Sequence, residues 1–247
     1  MFLTVRCILI FFVFTFSLVT NAAISLQQSR VVFNGDKSSY SLLVINQNNH
    51  APYLAQGWIE DEKGNREQGP LLVLPPIQRI EPGESSQVKI QALPAVKLLR
   101  QDRETLFYLN LREIPPKISE GNTLQIALQN RIKVFYRPVA LKNHELASPW
   151  HSKLMLTKRD THWQITNPSE YYITLVDAQV SQNGAHIAKF TPFMLAPGAS
   201  EMLPGNINDY GKAPVFTYLN DYGGRPEITF NCGSEHCNVI NNKIPRG

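Results

Sequence analysis

The residues best suited to covalent chemistry are two cysteines near the end of the chain. Cys232 and Cys237 bound the run Cys-Gly-Ser-Glu-His-Cys. In an oxidising compartment an even pair of cysteines most simply forms a disulfide, and a short spacing that includes glycine suits a tight hairpin. A metal site that also uses His236 is the alternative, although these three residues lack the paired spacing of zinc sites. We predict the disulfide and no metal.

Motifs for enzymatic catalysis are largely missing from the sequence. It contains no Gly-rich phosphate loop, no Gly-x-Ser-x-Gly elbow and no His-Glu-x-x-His helix. The histidines fall in segments that we assign to turns and strand edges, and they are His50, His144, His151, His162, His186 and His236. We expect no cofactor and no enzymatic activity. An exported hydrolase with a dispersed site stays open as an alternative, because catalytic triads are recognised by geometry and not by sequence order.

Two cations interrupt apolar strand-like runs. Arg30 directly precedes the run Val-Val-Phe, and Lys133 lies between Ile132 and Val134. A charged group on a strand face that approaches a core needs a partner. Both side chains could extend into solvent along the protein surface. Alternatively, the two cations converge and bind an anion such as a carboxylate.

Lys133 belongs to a long alternating stretch, residues 122–138. Leu124, Ile126 and Leu128 are spaced two apart, and the alternation continues to the end of the stretch. Period two indicates a strand with two different faces. At about 3.3 Å per residue this strand would exceed roughly 40 Å, which is long for a globular domain. Its partner is either the protein's own sheet or a segment of another molecule.

Residues 1–22 have the features of a secretory signal peptide. Arg6 supplies a short positive region, residues 7–19 form an apolar core, and the small residues Thr20 and Ala22 fit a signal-peptidase site. We predict cleavage after Ala22. The alternative, a membrane anchor, needs about 20 apolar residues, which is longer than this core. We therefore expect an exported protein without membrane insertion.

Charge gives no sign of a polyanionic partner. The formal net charge is +4, and the basic residues are spread along the sequence. A nucleic-acid-binding protein would carry a basic patch or tract. We expect no nucleic acid among the partners.

Short β-rich runs separated by Gly and Pro turns fill the rest of the chain. The first run, residues 24–33, is predicted to be a single strand. Many short strands at regular spacing are typical of β-sandwiches. A polar segment at residues 140–149 divides the pattern into two halves of similar size. We predict an all-β protein with an N-terminal domain over residues 23–142 and a C-terminal domain over residues 143–247.

Longer motifs give a resemblance that covers the whole predicted mature chain. They are Tyr53-Leu-Ala-Gln-Gly-Trp-Ile-Glu60, Pro75-Pro-Ile-Gln-Arg-Ile-Glu-Pro-Gly83, Asp102-Arg-Glu-Thr-Leu-Phe-Tyr-Leu-Asn-Leu-Arg-Glu-Ile-Pro-Pro116, Ile132-Lys-Val-Phe-Tyr-Arg-Pro138 and Asn220-Asp-Tyr-Gly-Gly-Arg-Pro226. With these motifs the chain resembles the periplasmic chaperones of the chaperone–usher pilus pathway. The short connection at residues 115–121 resembles the short-loop subfamily, which assembles rod-like pili. The resemblance implies two immunoglobulin-like β-sandwich domains in an L-shape.

The resemblance also implies a mechanism, donor-strand complementation. The family's clients are pilin subunits whose sandwich lacks a strand, and the chaperone lends its long strand to fill the groove. The matching donor residues are Asn122, Leu124, Ile126 and Leu128. Delivery to an outer-membrane usher, a periplasmic location and transient self-association of the free form are implied as well. The competing interpretation is that these apolar residues pack into their own domain.

The resemblance assigns the remaining site residues. In the family, an arginine of the first strand and a lysine of the long strand bind the pilin's C-terminal carboxylate, and these match Arg30 and Lys133. A buried interdomain ion network that sets the angle between the domains matches Glu104, Arg137 and Asp221. The disulfide of the family's C-terminal domain matches the cysteine pair named above.

A two-domain pilus subunit or adhesin is an alternative function of a different class. Such a subunit carries a disordered N-terminal extension with alternating apolar residues. Here Ala23 leads almost directly into a predicted strand, which argues against this alternative.

Overall fold

The computed structural model describes residues 23–66, 69–117, 125–141 and 149–243, and these residues form two β-sandwiches. The N-terminal sandwich contains β1 (Ile24–Leu26), β2 (Arg30–Asn34), β3 (Ser39–Asn46), β4 (Tyr53–Asp61), β5 (Leu71–Leu74), β6 (Ile77–Ile80), β7 (Ser85–Ala92), β8 (Thr105–Ile114) and β9 (Gln129–Arg137). The C-terminal sandwich contains β10 (Met155–Arg159), β11 (His162–Thr166), β12 (Ile173–Gln179), β13 (Phe193–Leu195), β14 (Ser200–Met202), β15 (Val215–Leu219), β16 (Glu227–Cys232) and β17 (His236–Lys243). Short 3-10 helices occupy Pro94–Leu98, Val139–Leu141, Trp150–Lys153 and Ile207–Tyr210. The prediction of an all-β protein with two sandwiches is confirmed.

Alternating side chains build the core of the N-terminal sandwich. A four-stranded sheet in the order β1-β3-β7-β5 packs on a five-stranded sheet in the order β2-β9-β8-β4-β6. In β3, for example, Leu42 and Val44 are buried while Ser41 is exposed. These residues share one buried cluster with Leu109 of β8 and Val134 of β9. Each sheet therefore buries one face against the other, as period-two sequences require.

The prediction of a single first strand over residues 24–33 is wrong. β1 pairs antiparallel with β3 in the four-stranded sheet, whereas β2 pairs parallel with β9 in the five-stranded sheet. The polar residues between β1 and β2 carry the chain from one sheet to the other. Periodicity did not reveal this crossing, because both short strands alternate in the same way.

The long alternating stretch forms a shorter strand than predicted. β9 begins at Gln129, residues 125–128 are not in a strand, and residues 118–124 lie outside the described part. Its antiparallel neighbour β8 ends at Ile114 and is followed by two prolines. Proline has no N–H with which to continue the ladder. The predicted strand over residues 122–138 is therefore wrong for residues 125–128, of which only Leu128 keeps a backbone hydrogen bond to β8, accepted from the N–H of Glu113.

The C-terminal sandwich is built from one continuous eight-stranded sheet in the order β13-β12-β15-β16-β17-β10-β11-β14. Leu195 of β13 and Ile165 of β11 lie near opposite ends of this order, yet both belong to one buried cluster. The sheet must therefore curl so that its two halves face each other. β17 pairs with β16 from end to end and with β10 only near its start, which places the bend at β17.

Candidate functional site

Arg30 and Lys133 lie side by side at the junction of the two sandwiches. The parallel pairing of β2 with β9 puts the two residues in register. Residues in register on neighbouring strands share a face of the sheet. The next residues along the two strands, Val31 and Val134, are buried in the core. Arg30 and Lys133 therefore lie on the opposite face of the sheet, which points away from the core. The structure thus brings together two cations that are about a hundred residues apart in sequence.

Arg30 is buried and Lys133 is partly buried, so both cations lose part of their hydration. Arg30 is only 9% exposed, and burial lowers its pKa, although the charge of Asp221 opposes this shift. Burial also lowers the pKa of Lys133, and the positive charge of Arg30 lowers it further. Among the described residues, no carboxylate lies within 4.0 Å of the Lys133 ammonium, so a bound anion would relieve both effects.

Arg30 also contacts the C-terminal sandwich. Its Nη1 donates to the carbonyl oxygen of Leu219 at 3.4 Å, whereas its buried Nε has no hydrogen-bond partner among the described residues. A buried donor without a partner is uncommon and usually has a functional or structural explanation. A guanidinium with an unused donor next to a lysine is well suited to a carboxylate.

Arg137, at the end of β9, links the two sandwiches. Its Nε donates to Glu104 Oε1 at 2.8 Å and its Nη1 donates to Asp221 Oδ2 at 2.7 Å. The other carboxylate oxygen of Glu104 accepts the backbone N–H of Tyr172 at 2.8 Å. One buried guanidinium therefore binds a carboxylate of its own sandwich and a carboxylate of the other. The structure brings Glu104, Arg137 and Asp221 together as an ion cluster.

Burial and the attraction between opposite charges compete in this cluster. Burial raises the pKa of Glu104 to about 7, against the opposing effect of Arg137. Burial alone would lower the pKa of Arg137, but Glu104 and Asp221 together raise it above the usual arginine value. The guanidinium also lies 5.1 Å from the ring centroids of Trp150 and Tyr171. Arg137 is thus a permanent positive charge held by residues of both sandwiches.

A cleft of about 640 Å³ opens between the sandwiches at this point. Arg30, Val32, Asn34 and Arg137 line it from the N-terminal side, and Tyr222 lies on the opposite side. Lys133 does not line the cleft, although it neighbours Arg30 on the same sheet face. The cleft is large enough for a chain terminus and presents a buried cation at its wall.

The predicted donor residues are only partly described. Asn122 and Leu124 lie outside the described residues. Ile126 and Leu128 are 64% and 45% exposed, so the interpretation that they pack into their own domain is wrong for these two. They precede β9 and leave apolar side chains in solvent, where they are available to another molecule.

The cysteine pair is bonded. Cys232 and Cys237 form a disulfide and are in-register partners at the end of the β16–β17 hairpin. Both sulfur atoms are therefore engaged in the S–S bond. The described residues contain no group of three or more His, Cys, Asp or Glu side chains arranged to hold a metal.

Sequence reasoning missed the burial of one histidine and one glutamate. His151 was assigned to a turn or an edge, but it is buried and stacks on Tyr218 with ring centroids 3.8 Å apart. Burial, aided by the charge of Arg137, lowers its pKa to about 3. Glu113 was not singled out either, although it shares the core-facing parity of Leu109 and Leu111 in β8. An acid on the apolar face of a strand was the signal that could have revealed it.

Comparisons with known proteins agree with this architecture. The family model for the pili and flagellar-assembly chaperone PapD N-terminal domain matches residues 23–142, and the model for the pili assembly chaperone PapD C-terminal domain matches residues 149–230. The chain is 42% identical to the probable fimbrial chaperone YfcS of Escherichia coli K12, over 94% of this chain and 91% of the relative. It is 43% identical to the Escherichia coli chaperone protein PapD, over 90% of this chain and 92% of the relative.

A solved chaperone structure has the same fold. The crystal structure of the Pseudomonas aeruginosa CupB2 chaperone superposes with a TM-score of 0.70 at 28% identity, and it covers 85% of this chain and 100% of that one. The matches to both family models, to chaperones of similar length and to this fold are mutually consistent. The chain therefore belongs to the PapD family of pilus-assembly chaperones, which are not enzymes.

Proposed function

We propose that this chain is a periplasmic chaperone that binds pilin subunits by donor-strand complementation and delivers them to an outer-membrane usher. The observation that carries the proposal is the in-register pairing of Arg30 with Lys133, together with the exposed residues 125–128 that precede β9. We call residues 125–128 the apolar segment. The cations supply a site for a carboxylate, and the segment supplies side chains for an apolar groove. Both features are connected by a single strand, β9.

The cation pair would bind the C-terminal carboxylate of the subunit. A carboxylate contacted by a guanidinium and an ammonium gains two charge-assisted interactions in a site where burial already disfavours the unpaired cations. A chain terminus can bind there in one direction only. Binding at the terminus therefore fixes the register of the subunit's last strand along β9.

The apolar segment would then complete the subunit's sandwich. Ile126 and Leu128 have the same parity as the core-facing Val134, so they extend the apolar face of β9 beyond the chaperone's own core. At about 3.3 Å per residue, an extended chain places Ile126 roughly 23 Å from Lys133. Backbone pairing would give affinity, and the alternating side chains would select grooves with matching pockets.

The complex needs no nucleotide in this proposal. An open sandwich exposes an apolar groove and unpaired strand edges, which favour aggregation. The chaperone strand covers both until a segment of another subunit replaces it at the usher. Transient self-association of the free chaperone through residues 125–128 would protect the same apolar side chains when no subunit is bound.

Export to the periplasm is part of the proposal. The predicted signal peptide and the disulfide support an oxidising compartment. Within the described residues, no helix is long and apolar enough to cross a membrane.

Co-purification from the periplasm tests the proposal directly. The chain is expressed with its signal sequence and a C-terminal tag in a piliated host, and the proteins bound to it are identified by mass spectrometry. We expect a pilin subunit in a one-to-one complex on gel filtration. Recovery of the chain in polymers or assembled pili would favour the pilus-subunit alternative, and recovery without any pilin would contradict the proposed function.

A further inference from the structure

Glu113 is a buried carboxylate at the point where the exposed apolar segment leaves the N-terminal sandwich. It lies near the end of β8, is only 4% exposed, and faces the core together with Leu109 and Leu111. Within the described residues, no Lys, Arg or His nitrogen lies within 4.0 Å of its oxygens. A carboxylate in such a place is tolerated only if hydrogen bonds satisfy it.

The hydrogen bonds of Glu113 come from two distant segments of backbone. Its Oε2 accepts the N–H of Ile24 at 2.9 Å, and its Oε1 accepts the N–H of Leu128 at 3.3 Å. The backbone N–H of Glu113 in turn donates to the carbonyl oxygen of Leu128 at 3.0 Å. Asn130 Nδ2 donates to the carbonyl oxygen of Ile24 at 3.2 Å. We call these four residues the Glu113 clasp.

The clasp connects three parts of the molecule. Ile24 belongs to the four-stranded sheet, Glu113 and Asn130 belong to the five-stranded sheet, and Leu128 ends the exposed segment. Both backbone polar groups of Leu128 are bound by Glu113, one through the side chain and one through the main chain. The direction in which the segment leaves β9 is therefore set at Leu128, before any client is present.

We propose that Glu113 is a positioning residue for client binding, because it holds the base of the apolar segment in the orientation that a pilin groove receives. This inference rests on the proposed function. A segment ordered at its base loses less conformational entropy on binding than a free one. The two hydrogen bonds require a carboxylate with both oxygens accepting. An amide at the same position has one oxygen and one NH₂ group, so it satisfies one N–H and opposes the other.

Glu113→Gln tests the proposal with almost no change in side-chain volume, and Glu84→Gln is the matched control. Glu84 is an exposed acid of the same sandwich whose carboxylate forms no hydrogen bond or ion pair with other described residues. The first measurement is amide hydrogen exchange of the free mature chain. We expect exchange to be about tenfold faster at Leu128 or Ile24 in Glu113→Gln, because one buried hydrogen bond is lost. The amides of Leu109 and Leu111 should stay protected.

The second measurement is the affinity of each variant for the pilin subunit that co-purifies with the wild-type chain. The subunit is purified in denaturant and then diluted into a solution of each chaperone. It is made at a temperature at which all variants are folded, so that lower stability alone does not alter it. We expect Glu113→Gln to bind about tenfold more weakly and Glu84→Gln to match the wild type. Equal affinity of Glu113→Gln and the wild type, or unchanged exchange at both Leu128 and Ile24, would overturn the proposal.

A second variant covers the case in which Glu113→Gln does not fold. Asn130→Ala removes only the half-buried contact to the Ile24 carbonyl, and it should shift exchange and affinity in the same direction by about two- to fivefold. Wild-type behaviour of this variant in both measurements would then refute the clasp. If no pilin co-purifies even with the wild type, the proposed function fails and the positioning role fails with it, whereas the exchange measurement still shows whether Glu113 orders Leu128.

Discussion

Arg137 and Asp221 form a 2.7 Å ion pair that joins the two sandwiches, and the same guanidinium binds Glu104 within the N-terminal sandwich. Buried ion pairs contribute uncertain net stability, because desolvation offsets the attraction. They do, however, require one relative placement of the groups that form them. That the cluster sets the orientation of the two sandwiches around the cleft stays a prediction.

Removing the charge of Asp221 should loosen this orientation. In Asp221→Asn the Arg137 guanidinium stays buried with only one carboxylate, so we expect a loss of about 1–3 kcal/mol of unfolding free energy. Spin labels placed on each sandwich should give a broader distance distribution than in the wild type. Glu201→Gln, an exposed acid of the C-terminal sandwich, is the control. An unchanged distribution in Asp221→Asn would show that other contacts set the orientation.

The cation pair should be essential for pilin binding and nearly dispensable for folding. Arg30→Ala and Lys133→Ala each remove one of the two charges that would bind the subunit's carboxylate, so we expect pilin co-purification to fall to background. Thermal unfolding of the free variants should remain cooperative, because the side chains face away from the core. Lys97→Ala removes an exposed cation elsewhere and should leave recovery intact. Normal recovery with Arg30→Ala or Lys133→Ala contradicts the carboxylate assignment.

The exposed apolar segment should act through its side chains. Ile126→Asp would place a carboxylate in an apolar pocket of the client, so we expect pilin affinity to fall at least about tenfold. The free protein should keep its stability, because Ile126 is already mostly in solvent. Leu98→Asp is a matched control, since Leu98 is 88% exposed on the 3-10 helix Pro94–Leu98. Insoluble Ile126→Asp protein would assign this side chain to the chaperone's own core.

His151 should make the protein less stable in acid. Its pKa in the folded state is about 3, below the ordinary value of about 6.5. Between these values the unfolded chain binds a proton that the folded chain does not, so stability falls as the pH falls. Glu104, whose pKa is raised to about 7, acts in the opposite direction between its ordinary value and neutrality. The wild type alone therefore does not isolate the histidine.

A variant separates the two effects. His151→Phe keeps a ring beside Tyr218 and removes the titrating group while leaving Glu104 in place. Urea unfolding from pH 7.5 to pH 4 should show the wild type losing about 1–2 kcal/mol relative to His151→Phe by pH 5. Parallel pH profiles for the two proteins would show that His151 protonates as easily in the folded state as in the unfolded state.

Local sequence patterns predicted which residues form strands better than they predicted which strands pair with each other. Alternation identified the β-sandwich class and the buried face of β9, because side-chain parity is a property of neighbouring residues. Pairing of Arg30 with Lys133 depends on a parallel contact between strands far apart in the chain, and no local pattern encodes it. The resemblance to pilus chaperones supplied that pair as an expectation, and its role as a carboxylate site stays a prediction.

The length of β9 and the burial of polar side chains depend on neighbouring elements of the fold. The alternation of residues 122–138 continues past the point where β8 ends in prolines, so the pattern overestimated the strand. His151 and Glu113 gave little or no signal, because burial of a polar residue is decided by tertiary packing. The predicted donors Asn122 and Leu124 fall outside the described residues, so their part in the segment also stays a prediction.

The position of Arg137 has a consequence for recombining this protein with its relatives. Its guanidinium is buried with an acid from each half of the chain, so the N-terminal half supplies only one of its two carboxylate partners. A chimaera that joins residues 23–141 to a foreign C-terminal half would need an acid in the place of Asp221, on a loop of the same length. The two halves therefore cannot be exchanged as independent modules, even though each has a core of its own.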